Sequence, residues 1–415
     1  MSTIQVEGLR SLKGEIEVQG SKNAVLPMMA ASILHRGTTV ITNVPRIQDV
    51  SCMMGILEYM GCACTLEGHR LTVDASVLRA ARIPEHYVKG MRSSIMVLGA
   101  VLGRMGEALT HYPGGCSIGK RPIDLHLYAL RTLGAEITEE EELIMAHAPH
   151  LTGAEILFPY PSVGATENAL LASVLAEGTT VIRGGAREPE IQELCLFLNN
   201  MGADIRGIGS DCLMVVGQTA LHDSSYRVLG DRIVAGTYLA AVCAAGGDVV
   251  LTGIDPGHMD VVLTQFARIG ARVCAEKDLV HITAKGRPDK MTVTTGPYPQ
   301  FPTDLQSPML AVASVADGES LIEETVFEGR YETAKELQKL GAHISVDGRR
   351  AMVKGTQALS GTAVEAKDLR GGAALVIAGL AAEGRTVISR CFHIQRGYED
   401  ICKDLSGLGA RISYL

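Results

Sequence analysis

The stretch PGGCSIGKRP, residues 113–122, sets a thiol, Cys116, four residues before the two cations Lys120 and Arg121. Neighbouring positive charge lowers a thiol's pKa and raises the thiolate fraction, which is what a nucleophilic or proton-donating cysteine requires. Gly114, Gly115 and Gly119 allow the backbone to move and to approach a ligand closely, as a lid must. A second set of polar residues stands at the head of six strongly apolar segments: Lys22-Asn23, Arg92-Ser93, Thr166-Glu167-Asn168, Asp231-Arg232, Thr303-Asp304 and Asp368-Leu369-Arg370. If those segments are helices, their first turns carry free amide donors and the positive end of the dipole, a setting for phosphate or carboxylate. Lys22 and Arg92 oppose that dipole by about 0.3–1 kcal/mol, and an anion between them would remove the conflict. Asp231, Asp304 and Asp368 are equally good as plain N-caps. Spacing alone does not separate a cap from a chemical carboxylate.

The elements that position these residues repeat. Six times the chain runs through Gly, a short strand-forming run, a loop, an amphipathic helix, then Gly and another strand, with openings at Gly37, Gly106, Gly178, Gly247, Gly318 and Gly384. A period near seventy residues is too long for a solenoid, so the units read as βαββ modules built into globular domains. In the third, Ile191, Leu194, Cys195, Leu198 and Met201 mark one face of a helix that ends before Gly202. Before each opening glycine lies a helix apolar on every side, as in NAVLPMMAASIL or GAALVIAGLAAEG. Such a helix must be interior. Three parallel interior helices per group give two domains, predicted as 21–228 and as 1–20 with 229–415, with an active site in the cleft between them. Residues 1–20 are expected to form a strand pair that completes the second domain. Gly106 to Gly134 spans 28 positions where the other five units span 23 to 25. The extra residues fall in the Cys116 loop, so the fold does not need them and function is the better reason for them.

Composition narrows the class. The chain has 415 residues, 47% hydrophobic and 20% charged, with 46 glycines and no Trp, an aliphatic-core α/β (α+β) protein of two or three domains. A net charge of −8 argues against a nucleic-acid or membrane-surface binder while leaving room for a local basic cleft. With no apolar run of eighteen and no signal-peptide layout, the expectation is cytoplasmic. The ten cysteines are then free thiols, and no CxxC spacing suggests a metal; Cys62 and Cys64 are expected on the two faces of a strand.

With these residues in view the chain resembles the UDP-N-acetylglucosamine 1-carboxyvinyltransferase family, one of the enolpyruvyl transferases, along nearly its whole length. The resemblance rests on GSKNAVLP, MRSS, PGGCSIGKRPIDLH, SVGATEN, REPEI, GPYPQFPTDLQ, TVFEGRY, DLRGG and HIQRGYE, nine motifs in order at helix starts or loops. It implies a pair of inside-out α/β barrels and transfer of the enolpyruvyl group of phosphoenolpyruvate to the 3′-hydroxyl of UDP-N-acetylglucosamine, with release of phosphate, in peptidoglycan and hence cell-wall synthesis. No cofactor and no metal are implied, and a monomer is expected. By the same resemblance Cys116 is the acid and the residue that forms a phosphoenolpyruvate adduct, and Asp304 the base at the sugar hydroxyl. Lys22, Asn23, Arg121 and Arg396 would hold phosphoenolpyruvate. Asn23, Arg92, Arg121, Pro122, Ile123, Asp124, Leu125, Ser162, Val163, Gly164, Asp304, Val326, Arg330 and Arg370 would hold the UDP-sugar. A retained cysteine also implies alkylation by the epoxide fosfomycin.

The chain departs from the family pattern at Tyr160, where some members carry a basic residue beside the nucleotide, and at Ser21, Gln300 and Gly329. Two other readings stand beside this one. A 5-enolpyruvylshikimate-3-phosphate synthase-like transferase would share the fold and chemistry but not the cysteine loop. A catalytically idle UDP-sugar-binding paralogue would not need Cys116, Asp304 and the Arg/Lys set together.

Overall fold

The computed structural model describes residues 3–9, 11–114 and 122–415. By internal contacts the described residues divide into two units, one made of 3–19 and 229–415, the other of 20–114 and 122–228. Each has its own hydrophobic core.

Four of the six repeats, the first, third, fourth and fifth, build a four-stranded sheet of one plan, in which the strand after the opening glycine is flanked on one side by a parallel strand and on the other by the last strand of its own hairpin. The second repeat has three strands, with only an isolated parallel bridge between Arg82 and Leu109. In the third repeat, Glu155–Leu157 pairs parallel with Thr179–Arg183, which pairs antiparallel with Cys212–Val216, which pairs with Asp204–Arg206. Side chains alternate along these strands, so Thr180 and Ile182 are buried while Thr179 and Arg183 face out, the signature of a sheet with one wet face. The glycine closing each amphipathic helix, at 61, 134, 202, 270, 341 and 409, has φ between 91° and 108° in all six. That left-handed conformation strains any residue with a Cβ, which is why the sequence repeats glycine there.

The first and last strands close each unit on itself. Ser224–Arg227 comes at the end of 20–228 yet lies parallel to Thr38–Thr42 of the first repeat. Residues of the N-terminal segment do not pair with each other as expected. Leu12–Glu17 is instead the parallel neighbour of Gly247–Thr252, and Ile4–Glu7 takes the third place in the sixth sheet between Arg385–Ser389 and Arg411–Tyr414. In that sheet Ile4–Glu7 stands beside the strand after the opening glycine, the place the last hairpin strand takes in the other repeats.

The six apolar segments are interior helices. In 229–415, Arg232–Ala245, Gln306–Ser314 and Leu369–Ala381 all touch one another, and the last is buried from Arg370 to Ala381. In 20–228 they are Lys22–Ala31, the pair Arg92–Met96 and Val97–Met105, and Val163–Ser173. Gly99 lies against Asn168, and Gly103 against Leu171 and Ala172. The contact advances in the same direction on both chains, so those helices are parallel. A Cβ at Gly99 would stand 2.5 Å from the carbonyl oxygen of Asn168, so only glycine permits this approach. Two boundaries differ from the sequence reading. The second segment opens as a 3₁₀ turn, and the third begins at Val163, placing Thr166, Glu167 and Asn168 a turn inside the helix and buried. Ser162 starts it early because its hydroxyl accepts the Ala165 N–H.

Candidate active site

In the unit 229–415 the three aspartates that spacing alone leaves alike separate. Asp231 is an N-cap, its carboxylate accepting from the Ile233 and Val234 N–H groups at 2.8 and 3.1 Å. Asp368 does the same for Arg370 and Gly371. Asp304 lies in the first turn of the short helix Thr303–Leu305, and its two oxygens meet two guanidinium groups. Arg330 Nη2 donates to Oδ1 at 2.7 Å and Arg370 Nη2 to Oδ2 at 3.4 Å. The arginine side chains are only 4% and 3% exposed, whereas that of Asp304 is 27% exposed. Two buried cations therefore present one carboxylate at an accessible edge, fixed in orientation by charge-assisted hydrogen bonds.

These contacts also bring the helix starts together. Arg370 opens one interior helix, Asp304 precedes another, and Gly236 near the start of the third faces the Leu305 side chain. Burial disfavours the Arg370 charge, but Tyr398, Asp304 and Asp231 outweigh it and hold its pKa above the ordinary value. Val326 lies in the loop after Glu319–Glu323, its N–H donating to Glu324 Oε1 at 2.8 Å. Arg396 ends the helical turn Cys391–Arg396 and is half-buried. Burial, with repulsion from Arg390 and Arg396, keeps the His393 imidazole below its usual pKa.

The unit 20–228 gathers a different set. Lys22 is the first residue of its interior helix, and its Nζ lies 2.7 Å from Asp49 Oδ2, with side chains 12% and 4% exposed. The sequence reading left the clash between Lys22 and the helix dipole for a bound anion to relieve; the fold already sets a carboxylate there. Arg92 opens a 3₁₀ turn that touches both neighbouring interior helices. Asn23, Arg92, Ser162, Val163 and Gly164 are half-buried. Pro122 and Asp124 are exposed, while Ile123 and Leu125 point into the core. The Cys116 and Arg121 assignments lie outside the described residues.

Several participants were not assigned from sequence. Asp49 sits in the first turn of Gln48–Tyr59. Asn168, fully buried, accepts the Gly99 N–H at 2.7 Å, donates to Ile95 O at 3.1 Å and meets His126 Nδ1 at 2.9 Å. Thr303, Glu324 and Tyr398 stand inside or beside quoted motifs but had no role. A buried carboxylate such as Glu324, at the end of the alternating strand ESLIE, is the kind of residue a sequence scan could have flagged, since charge is seldom fully buried unless paired. Burial also raises the thiol pKa of Cys195 and Cys243 to about 12. Cys62 and Cys64 are raised as well, to about 11 and about 12, with Cys62 adding to the shift at Cys64. Two positions apart on an extended chain puts them on one face, not two. Thiols whose pKa is raised in this way are the opposite of the setting the sequence gives Cys116.

Residues 6–405 match the family model of EPSP synthase (3-phosphoshikimate 1-carboxyvinyltransferase). The chain belongs to the enolpyruvyl transferase family. UDP-N-acetylglucosamine 1-carboxyvinyltransferase 2 of Caldanaerobacter subterraneus is 45% identical over 99% of both chains. UDP-N-acetylglucosamine 1-carboxyvinyltransferase of Chlorobium luteolum is 45% identical over 99% of this chain and 98% of its own. Among solved structures, the enolpyruvyl transferase NikO of Streptomyces tendae covers 100% of this chain and 99% of its own with a TM-score of 0.88 at 26% identity. EPSP synthase of Acinetobacter baumannii, at 19% identity and a TM-score of 0.75 over all of both chains, shares the fold. This enolpyruvyl transferase is thus a mixed α/β transferase, and among its described residues no helix is long and apolar enough to cross a membrane.

Proposed function

We propose that this enolpyruvyl transferase moves the enolpyruvyl group of phosphoenolpyruvate onto the 3′-hydroxyl of UDP-N-acetylglucosamine, the step that commits the sugar to peptidoglycan. The observation that carries the reading is Asp304, an accessible carboxylate locked between two buried arginines. Near-full-length relatives bearing the UDP-N-acetylglucosamine transferase name support it. On this reading each unit is an inside-out barrel with three parallel helices at its centre.

The chemistry accounts for the residue types. The enol phosphate becomes electrophilic at C2 when C3 takes a proton, which Cys116 supplies; Asp304 takes the proton of the attacking 3′-hydroxyl. The C2–O bond to the sugar forms and a tetrahedral adduct results. Loss of a C3 proton then restores the double bond as the C2–O bond to phosphate breaks, so one molecule of phosphate leaves for each enol ether made. Lys22, Asn23, Arg121 and Arg396 neutralise the phosphate and carboxylate of phosphoenolpyruvate, arginine doing so with a planar fork suited to both. Arg92, Pro122 to Leu125, Ser162 to Gly164 and Val326 hold the nucleotide sugar, while the buried Arg330 and Arg370, assigned to it by the resemblance, act on it through Asp304.

Mixing the protein with phosphoenolpyruvate and UDP-N-acetylglucosamine should release phosphate and give a product whose mass exceeds that of the sugar nucleotide by one enolpyruvyl group. Phosphate release with shikimate 3-phosphate in its place would move the assignment to the other branch. No release with either from folded protein would leave only a binding role. Cys116→Ala should retain the fold and lose nearly all turnover; full turnover would remove the thiol from the mechanism.

A further inference from the structure

Each arginine that holds Asp304 is itself held by a hydroxyl whose proton is already committed elsewhere. Thr303 Oγ1 donates to Glu324 Oε2 at 2.8 Å, so only its lone pairs remain to accept from Arg330 Nη1 at 2.7 Å. Glu324 is completely buried, and its other oxygen accepts from the Val326 and Phe327 N–H groups at 2.8 and 2.9 Å. On the other side Thr237 donates its proton to Ile233 O at 2.8 Å. The 2.8 Å contact between Thr237 Oγ1 and Tyr398 Oη is therefore donated by Tyr398, whose lone pair accepts from Arg370 Nη1 at 3.2 Å. The Arg370 guanidinium also lies over the Tyr398 ring, 5.5 Å from its centroid.

We infer that Thr303 with Glu324, and Tyr398 with Thr237, are positioning residues that fix Arg330 and Arg370 and through them the direction of the Asp304 carboxylate. A hydroxyl whose proton is taken by a stronger acceptor can only accept on its other side. Each guanidinium thus has one rotational setting in which both its Nη groups are satisfied, and in that setting the second Nη points at Asp304. One strut also ends on the N–H groups of residues 326 and 327, so the loop carrying Val326 and the carboxylate are set by one hydrogen-bonded chain. The inference rests on the reading of Asp304 as the base.

The test compares Thr303→Val, which keeps shape and removes the hydroxyl, with Thr303→Ser, which keeps the hydroxyl, and adds Tyr398→Phe. We expect kcat to fall about tenfold to a hundredfold in Thr303→Val and Tyr398→Phe. KM for both substrates should stay within about threefold, because an interaction felt at the reacting atoms lowers kcat rather than raising KM. Thr303→Ser should return kcat to within about threefold of the parent. Thermal melting accompanies each kinetic measurement, and if Thr303→Val does not fold, Tyr398→Phe decides. Parent-like kcat in Thr303→Val and Tyr398→Phe, a rise in KM at constant kcat, or a Thr303→Ser enzyme as slow as Thr303→Val overturns the struts. Asp304→Asn separates the two readings. If it is inactive while the hydroxyl variants are normal, only the struts fail; if it turns over normally, the base assignment fails and takes the struts with it.

Discussion

The two units answer the same structural problem, the positive ends of three buried helices, in different ways. In 229–415 two helix starts are neutralised by capping aspartates, Asp231 and Asp368, and the third aspartate, Asp304, is left to face two buried arginines. In 20–228 the starts carry Lys22, Arg92 and Ser162; one cation is matched by a carboxylate from a neighbouring helix, Asp49, and the serine makes a long cap at 3.4 Å. A helix terminus only offers a field; whether it becomes a cap, an ion pair or a chemical group depends on what the next element brings. Asp304 instead accepts from Arg330 and Arg370. On the proposed reading the base comes from 229–415, and the cations for phosphoenolpyruvate come from both units, Lys22 from one and Arg396 from the other.

That contrast can be broken most sharply at Asp304. Asp304→Asn keeps the shape and should lower turnover by about 10²- to 10⁴-fold, the usual contribution of a positioned acid or base, with circular dichroism unchanged. Parent-like phosphate release would make Asp304 one more structural aspartate. Next comes the Lys22–Asp49 pair. Removing one member of a largely buried pair strands the other, so Lys22→Ala should cost about 3 kcal/mol in urea unfolding and raise KM for phosphoenolpyruvate. The double change Lys22→Met with Asp49→Leu should recover most of the stability and none of the substrate binding. Recovery of binding would show that Lys22 has a structural duty alone. The smallest effect is expected at the caps. Asp368→Ala should cost about 1 kcal/mol, and Asp368→Asn, which can still accept the same two N–H groups, a few tenths. A loss of turnover in Asp368→Asn with intact stability would erase the distinction between the capping aspartates and Asp304.

Much of this was legible in advance because it follows from local chemistry. The glycine closing each amphipathic helix needs φ near 100°, so it recurs in the sequence at every repeat. An apolar segment such as GAALVIAGLAAEG has no face to show to water and is interior wherever the chain takes it. The excess length around Cys116 was visible as a break in period. Less legible was the third interior helix, whose start moved to Val163 because Ser162 caps there and Gly164 tolerates the close His126 ring, 2.7 Å from where a Cβ would stand. The N-terminal strands also misled. Two adjacent short strands suggest a hairpin, but Ile4–Glu7 and Leu12–Glu17 each had a vacant sheet position to fill some 240 residues or more along the chain.

What the sequence determined by itself was the repeat, the burial of six helices and the list of residue types fit for anion chemistry, since glycine φ, side-chain hydropathy and charge are properties of single positions. The tertiary structure alone separates Asp304, which meets two arginines, from Asp231 and Asp368, which cap. Asp231, Asp304 and Asp368 are the same side chain at the same kind of helix start, and they differ through Arg330 and Arg370, which arrive 26 and 66 residues further along the chain. A carboxylate's role is set by the field of its neighbours, and those neighbours are gathered by packing rather than by adjacency.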